Sequence, residues 1–179
     1  MARSCLLTLL ACTPAFWLNA ALAQVPPALA APGEKAIATY HAEGAQIYEC
    51  KADSDGRLSW VFREPIATLL LNDKTVGRHY AGPTWELADR SAVIGKAVGS
   101  APGTTANDIP WLKLDAVNHR GNGLLARVAT IQRINTHGGG AQGACDQLGA
   151  FRSVAYSADY SFLRKEDKDH TATRPLQGR

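Results

Sequence analysis

The sequence predicts an all-β protein: a single antiparallel β-sandwich or barrel-like domain with long loops, stapled by one disulfide bond. Short segments rich in β-branched and aromatic residues recur along the chain and are separated by turn-forming residues. Several of these segments alternate apolar and polar side chains, which is the period of a strand with one buried face. No segment keeps a 3.6-residue apolar period over three turns, so we expect no long helix.

The N-terminal segment, residues 1–23, has the pattern of a secretory signal peptide. Arg3 supplies the positive charge, residues 5–21 carry no charge, and Ala21-Leu22-Ala23 matches the small-x-small site of signal peptidase. We therefore expect cleavage after Ala23 and a secreted or periplasmic mature protein. The apolar run is shorter than the roughly 20 residues of a membrane-spanning helix, so no transmembrane segment is expected.

A lipid anchor on Cys12 is the alternative fate of this segment. Residues 9–12, LLAC, resemble a lipobox. The apolar run before them is very short, and apolar residues continue to Ala23, so we favour cleavage without lipidation.

The mature chain is close to electrical neutrality. The whole sequence has 19 Lys and Arg residues against 16 Asp and Glu. Loss of Arg3 leaves 18 basic residues against 16 acidic ones, a net charge of +2. This balance gives no argument for binding nucleic acid or an anionic surface, and we expect no nucleic-acid partner.

Two cysteines remain after cleavage, Cys50 and Cys145, because Cys5 and Cys12 lie in the signal segment. An even pair in an oxidising compartment predicts a disulfide. Closing so long a loop contributes about 4–5 kcal/mol in the chain-entropy account of disulfides. Thiols that act as ligands or nucleophiles are the alternative, but no CxxC spacing supports it.

The β domain is predicted at residues 39–163. Residues 24–38 are rich in Pro and Ala and predict a linker, and residues 164–179 are charged, lack apolar anchors and predict a disordered tail. Turn residues fill 53–56 and 118–123. Strands are predicted at residues 45–50, 58–62, 67–71, 77–87 with a Gly-Pro break, 92–98, 111–117, 124–136 and 154–162.

The last predicted strand has the clearest period. One face carries Val154, Tyr156, Ala158, Tyr160 and Phe162, and the other carries smaller and polar residues. We expect the first face to be buried.

A glycine run, GGGAQG at residues 138–143, links the strand before it to Cys145. It formally satisfies the GxGxxG pattern of dinucleotide-binding loops, but no βαβ pattern surrounds it. We interpret it as a loop that needs positive φ beside the disulfide, which holds this loop against the first strand.

Five segments together resemble the family named domain of unknown function 3455. They are GAQIYEC at residues 44–50, GRHYAGPTWE at 77–86, IPWLKL at 109–114, IQRINTHGG at 131–139 and YSADYSF at 156–162. The resemblance covers residues 36–163. It implies an exported domain with a cysteine pair, since members are secreted proteins of bacteria and fungi, and it implies no activity.

Candidate ligand-binding residues cluster around a Gly-Pro break. Arg78, His79, Tyr80, Trp85 and Glu86 bring cationic, aromatic and acidic groups to one predicted loop, and loops on a rigid scaffold are where binding residues concentrate. The alternative is that the two large aromatic residues fill the core while Arg78 and Glu86 form a surface ion pair.

Further candidates lie near the glycine run and on the strand before it. His137, Gly138 and Gly139 complete the predicted binding loops. Arg127 and Arg133, six residues apart on one predicted strand face, would suit an anionic ligand, although solvated arginines are the ordinary interpretation.

Catalytic and metal motifs are weak. A metal site would have to be assembled from His79, His119 and His137 with Glu86 or Asp146, because no HxH or HExxH spacing occurs, and we expect neither a metal nor another cofactor. Neither GxSxG nor SxxK is present. A carboxylate pair for glycoside cleavage would combine Glu86 with Asp115 or Asp159.

We therefore expect an exported β domain that acts as a non-catalytic binding protein or as an envelope-associated protein. It would recognise a small molecule or glycan through the loops at residues 78–86 and 137–143. A small extracytoplasmic hydrolase or metal-assisted enzyme that uses His79, Glu86, His137 and Asp146 is the alternative. A purely structural envelope protein, the third class, predicts no deep pocket.

Overall fold

Eight antiparallel strands form one closed barrel in residues 25–167, the part of the chain that this computed structural model describes. Each strand pairs with the next along the chain, and the last pairs with the first. Short 3-10 helices lie at Pro27–Leu29 and Leu124–Arg127. The strands are β1 (Glu34–Ala52), β2 (Leu58–Leu71), β3 (Lys74–Tyr80), β4 (Thr84–Leu87), β5 (Ala92–Ala101), β6 (Trp111–Arg120), β7 (Thr130–Gly138) and β8 (Phe151–Lys165).

The prediction of an antiparallel all-β domain is confirmed, and of its two alternatives the barrel is right. The pairing of β1 with β8 decides this, because it joins the two strands that would be sheet edges in a sandwich. The pairing runs from Glu34 opposite Lys165 to Glu49 opposite Phe151. Closure leaves no edge strand with unpaired backbone groups.

Strand pairing reaches into both segments that the sequence predicted to flank the β domain. β1 begins at Glu34, inside the predicted linker, and β8 ends at Lys165, inside the predicted tail. Charged residues at these positions hid the strands from a pattern search, because backbone pairing does not depend on side-chain polarity. The signal segment and residues 168–179 of the tail lie outside the described residues.

The barrel interior is filled by the inward-facing residues of all eight strands. Tyr156, Ala158, Tyr160 and Phe162 of β8 are buried, as their alternation predicted, whereas Val154, the first residue of that predicted face, is only partly buried. The largest side chains that share the core with them include Trp85, Leu69, Ile131 and Val93.

β2 runs as one strand across two segments that the sequence predicted separately. Opposite it on β1, Ile47 pairs with Glu64 and Tyr48 pairs with Phe62, so Arg63 is an extra residue on β2. A bulge of this kind bends a strand and re-aims its side chains. Because Arg63 is near the start of β2, the bulge lies at the end of the barrel where β2 begins.

The opposite end of the barrel is covered by the connection between β6 and β7. The sequence predicted an uninterrupted strand over residues 124–136, and this was wrong for the first part. Leu124–Arg127 forms a 3-10 helix that places Leu125, fully buried, in the core. The Leu125 N–H donates to Ser91 Oγ at 3.1 Å, which ties this helix to the β4–β5 turn.

The predicted disulfide is present between Cys50 and Cys145, with an S–S distance of 2.02 Å and a Cα–Cα distance of 5.9 Å. It joins the end of β1 to the β7–β8 connection. The Tyr48 hydroxyl donates to the Gly139 carbonyl at 2.7 Å, so the glycine run does lie against the first strand. Within the described residues, no helix is long and apolar enough to cross a bilayer.

Candidate functional site

Strand alternation divides the predicted cluster at residues 78–86 between the two faces of the barrel. β3 and β4 form a hairpin in which Arg78 pairs with Glu86 and His79 with Trp85. Since successive residues of a strand point to opposite faces, the first pair lies on the outside and the second in the interior. The sequence predicted one cluster, and the fold makes two.

The outer cluster is a satisfied surface network. The Glu86 carboxylate accepts hydrogen bonds from Tyr80 Oη at 2.7 Å, from Arg78 Nη2 at 3.2 Å and from Arg120 Nη2 at 3.2 Å. The Tyr80 hydroxyl bond, followed by the bond and charge of Arg78, lowers the pKa of Glu86. Each exposed ion pair of this kind stabilises a protein by under about 1 kcal/mol. The alternative interpretation of Arg78 and Glu86 as a surface pair therefore describes what the fold contains.

The inner cluster is an aromatic stack. The rings of His79 and Trp85 lie 4.4 Å apart and within 8° of parallel, and the Tyr160 ring lies 4.9 Å from His79. His79 is 3% exposed, and its Nδ1 lies 2.9 Å from the Thr84 carbonyl oxygen. A carbonyl only accepts, so Nδ1 carries the proton and Nε2 is left as an acceptor.

Burial keeps His79 neutral. Desolvation is the largest cause and lowers its pKa from 6.5 to about 3; the bond to Thr84 opposes this shift, and the positive charge of Arg133 adds to it. Burial likewise raises the pKa of Tyr160, so its hydroxyl stays protonated. Neither group carries charge at neutral pH.

A cavity of about 320 Å³ lies above this stack, at the end of the barrel that contains the β3–β4 turn and the β2 bulge. Its volume is at the lower end of the range of about 300–1,000 Å³ that is typical of ligand pockets. Most of its wall is apolar. The lining residues are Gln46, Phe62, Arg63, Pro65, His79, Gly82, Pro83, Trp85, Ala97, Leu112, Leu114, Arg133 and Tyr160.

Two buried N–H donors of this lining have no hydrogen-bond partner among the described residues. They are Nε2 of Gln46, a residue 2% exposed, and Nε1 of Trp85, a residue 1% exposed. An unsatisfied buried polar group costs about 1–3 kcal/mol. Such groups are rare in native proteins, so a small side-chain movement that brings them to a polar ligand atom in the adjoining cavity would be stabilising.

Arg133 adds a positive charge to the cavity. Its Nε and Nη2 donate to the Pro110 carbonyl at 3.0 Å and 2.8 Å. No carboxylate forms an ion pair with it in the described part of the chain. The other cation of the lining, Arg63, has ion pairs with Glu49 and Glu64.

The predicted pairing of Arg127 with Arg133 on one strand face is wrong. Arg127 ends the 3-10 helix at the opposite end of the barrel, where the chain turns before β7 begins at Thr130. Only Arg133 reaches the cavity.

The predicted ligand residues His137, Gly138 and Gly139 do not line the cavity. His137 is exposed, and the Gly138 N–H donates to Asp108 Oδ1 at 2.6 Å. Gly139 has φ +87°, and a Cβ there would lie 2.9 Å from the Tyr156 Cβ. No helix follows the run within the described residues, so it is not a dinucleotide loop.

The residues proposed for a metal site are not brought together. Within residues 25–167, no group of three or more His, Cys, Asp or Glu side chains is placed to hold a metal ion. His119 Nε2 lies 2.8 Å from the Val128 carbonyl. Of the acids proposed for a carboxylate pair, Asp159 bonds to His41 and Asn135, whereas the Glu86 carboxylate bonds to the outer network.

Gln46 is the buried polar residue among the cavity residues that the sequence did not single out as candidates. A signal existed: Ala42, Gly44 and Gln46 follow the two-residue period of the inward face of β1, so a glutamine stands where an apolar residue is expected. A buried amide in such a position needs a partner.

Fold and site together define a closed eight-stranded β-barrel with a cavity at one end, a barrel size that has room for one small ligand. The chain belongs to the family of proteins of unknown function called DUF3455, whose family model matches residues 31–74 and 70–164. The resemblance seen in the sequence is thereby confirmed. Searches of curated proteins and of solved structures gave no match.

Proposed function

We propose that this protein is an exported, non-catalytic β-barrel that binds one small molecule in the cavity above the His79–Trp85 stack. One observation carries the proposal: the wall of a preformed, mostly apolar cavity of about 320 Å³ includes two residues, Gln46 and Trp85, that each carry a buried N–H donor without a partner. Ligand sites typically combine such an apolar wall with a few polar groups that fix orientation.

The cavity wall is better suited to binding a small apolar molecule than to binding a glycan. Its wall includes Leu112, Leu114 and Pro83, whereas a sugar needs many hydrogen-bonding partners. The exposed network around Glu86 is already satisfied by protein groups, so it offers less to a ligand than the interior does.

The composition of the lining supports binding over hydrolysis. None of the residues that line the cavity is Ser, Thr, Cys, Asp or Glu, the side chains that most often act as nucleophiles or as acidic catalysts. His79 is held neutral, and its Nδ1 proton is engaged by the Thr84 carbonyl.

Export is part of the proposal and rests on the signal pattern. The Cys50–Cys145 disulfide is consistent with an oxidising compartment. Intact mass spectrometry of the protein from a bacterial host tests this, with a mature N-terminus at Gln24 as the expected result. A diacylated N-terminal Cys12 would instead identify a lipoprotein, and an unprocessed cytoplasmic chain would contradict export.

Calorimetric titration with 2-naphthalenemethanol, a small flat neutral probe, tests the binding site. Ala97 is an exposed residue of the cavity lining and its exposed neighbour Val98 does not line it, so Ala97→Trp obstructs the opening of the cavity and Val98→Trp serves as the matched control. We expect Ala97→Trp to weaken binding at least tenfold and Val98→Trp to leave it unchanged. No binding to the wild-type protein, or equal binding to Ala97→Trp, would contradict the proposal.

A further inference from the structure

The charge of the cavity narrows the class of ligand. Arg133 is a permanent cation at working pH, and its two hydrogen bonds go to a neutral carbonyl, that of Pro110. Arg63 is balanced by Glu49 and Glu64. His79 and Tyr160, which flank Arg133 in the lining, are neutral. The cavity therefore has one positive charge that the described protein groups do not balance.

Among the lining residues, N–H donors are the groups that an anion can use, and the free Nε2 of His79 is an acceptor that an anion cannot use. Gln46 Nε2 and Trp85 Nε1 are N–H groups without a partner, and the Arg133 guanidinium is donor-only. An ionised carboxylate is acceptor-only and has about four lone-pair sites, so it suits this set better than an alcohol or an amine does. Guanidinium and carboxylate also match geometrically and form short, strong hydrogen bonds.

The rest of the cavity favours a flat apolar body. The parallel His79–Trp85 stack and the Tyr160 ring form an aromatic floor, and Leu112 and Leu114 come from the neighbouring wall. Offset stacking on such rings is favourable for a planar ligand. A volume of about 320 Å³ limits the body to one or two rings or an equivalent chain.

We propose that the cavity selects a small monocarboxylate with a flat apolar body, whose carboxylate accepts hydrogen bonds from Arg133, Gln46 and Trp85. This inference rests on the proposed function and names its class of ligand. It requires no residue of the exposed Glu86 network.

The test compares three probes that differ only in the head group: 2-naphthoate, 2-naphthalenemethanol and 2-naphthylmethylamine. Calorimetric titrations use the full chain, purified after export with its disulfide formed, at pH 7. We expect 2-naphthoate to bind at least tenfold more tightly than the alcohol, and the amine to bind more weakly than both. Equal affinity of acid and alcohol would overturn this inference and leave the proposed binding site standing. Failure of all three to bind would overturn both.

Two variants separate the site from general electrostatics. Arg133→Met should reduce the affinity for 2-naphthoate to that for the alcohol and leave the alcohol unchanged. Arg127→Met removes an exposed arginine at the other end of the barrel and serves as the matched control, with no expected change. An equal loss in both variants would overturn the inference, because it would indicate long-range attraction.

Gln46→Leu provides an independent readout if Arg133→Met fails to fold. It removes one donor at similar volume and should weaken 2-naphthoate about three- to tenfold with no effect on the alcohol. An unchanged ratio of acid to alcohol affinity in folded Gln46→Leu would contradict the role of this amide.

Discussion

The two faces of the β3–β4 hairpin differ in how completely their polar groups are satisfied. On the outside, the Glu86 carboxylate accepts hydrogen bonds from three side chains, and two of these, Arg78 and Arg120, are well exposed to water. Inside, one residue away, the Trp85 indole N–H is buried without a partner. The exposed charges of the outer face contribute little to the free energy of unfolding. The buried N–H donor without a partner on the inner face has the larger free-energy cost. The inner face is therefore the better candidate for a ligand site.

We expect the largest change in stability from a substitution on the inner face of the hairpin. Trp85 is 1% exposed and packs against His79, Tyr160 and Phe162. Trp85→Ala should lower the free energy of unfolding by about 3–5 kcal/mol, because it leaves a large cavity in the core. Urea unfolding followed by circular dichroism measures this. A loss below about 1 kcal/mol would mean that the indole is not a core residue.

Removal of the disulfide should cause the next largest loss of stability. Cys50 and Cys145, 95 residues apart in sequence, fasten the glycine run to the barrel end that contains the cavity. The double variant Cys50→Ser, Cys145→Ser should lose about 2–5 kcal/mol of unfolding free energy. Wild-type protein in reducing agent should show a similar loss. Equal stability of the oxidised and reduced wild-type protein would contradict this.

The buried histidine predicts a pH dependence with a defined sign. The pKa of His79 is about 3 in the folded protein and near 6.5 when exposed, so the unfolded state binds the extra proton between these values. Stability is therefore lost as pH falls from about 6.5 towards 3, by up to about 1.4 kcal/mol per pH unit.

The comparison of wild-type protein with His79→Phe isolates this contribution, because other groups titrate alike in both. The stability advantage of the wild-type protein over His79→Phe should shrink as pH falls through this window. A difference that stays constant from pH 7 to pH 4 would mean that the imidazole is hydrated.

We expect the smallest change in stability from a substitution on the outer face of the hairpin. Glu86→Ala removes the centre of the network that Arg78, Tyr80 and Arg120 form. It should change the unfolding free energy by under about 1 kcal/mol and leave the affinity for 2-naphthoate unchanged. Loss of binding in a folded Glu86→Ala protein would place the ligand outside the barrel.

Sequence patterns sufficed for the existence of most strands, for the disulfide and for most of the buried face of β8, because each depends on local period or on cysteine count. They did not suffice for the ends of β1 and β8 or for the 3-10 helix at Leu124–Arg127. Barrel closure could not be predicted, since it depends on pairing between Glu34 and Lys165 at the two ends of the β domain. The pairing register between strands that are distant in sequence also determines that His79 and Trp85 line the same cavity as Gln46 and Arg133. Of the five candidate residues around the Gly-Pro break, His79 and Trp85 face the interior, whereas Arg78, Tyr80 and Glu86 form the network on the outer face.

The most direct test of the ligand site compares two indole N–H groups that are both buried without partners, Nε1 of Trp85 and Nε1 of Trp111. Trp85 lines the cavity, and Trp111 does not. In ¹H–¹⁵N spectra, assigned with single Trp→Phe variants, saturating 2-naphthoate should shift the Trp85 indole resonance and slow its exchange with solvent, while the Trp111 resonance stays in place. A shift confined to Trp111, or no shift of either resonance under conditions where calorimetry detects binding, would contradict the placement of the ligand inside the barrel.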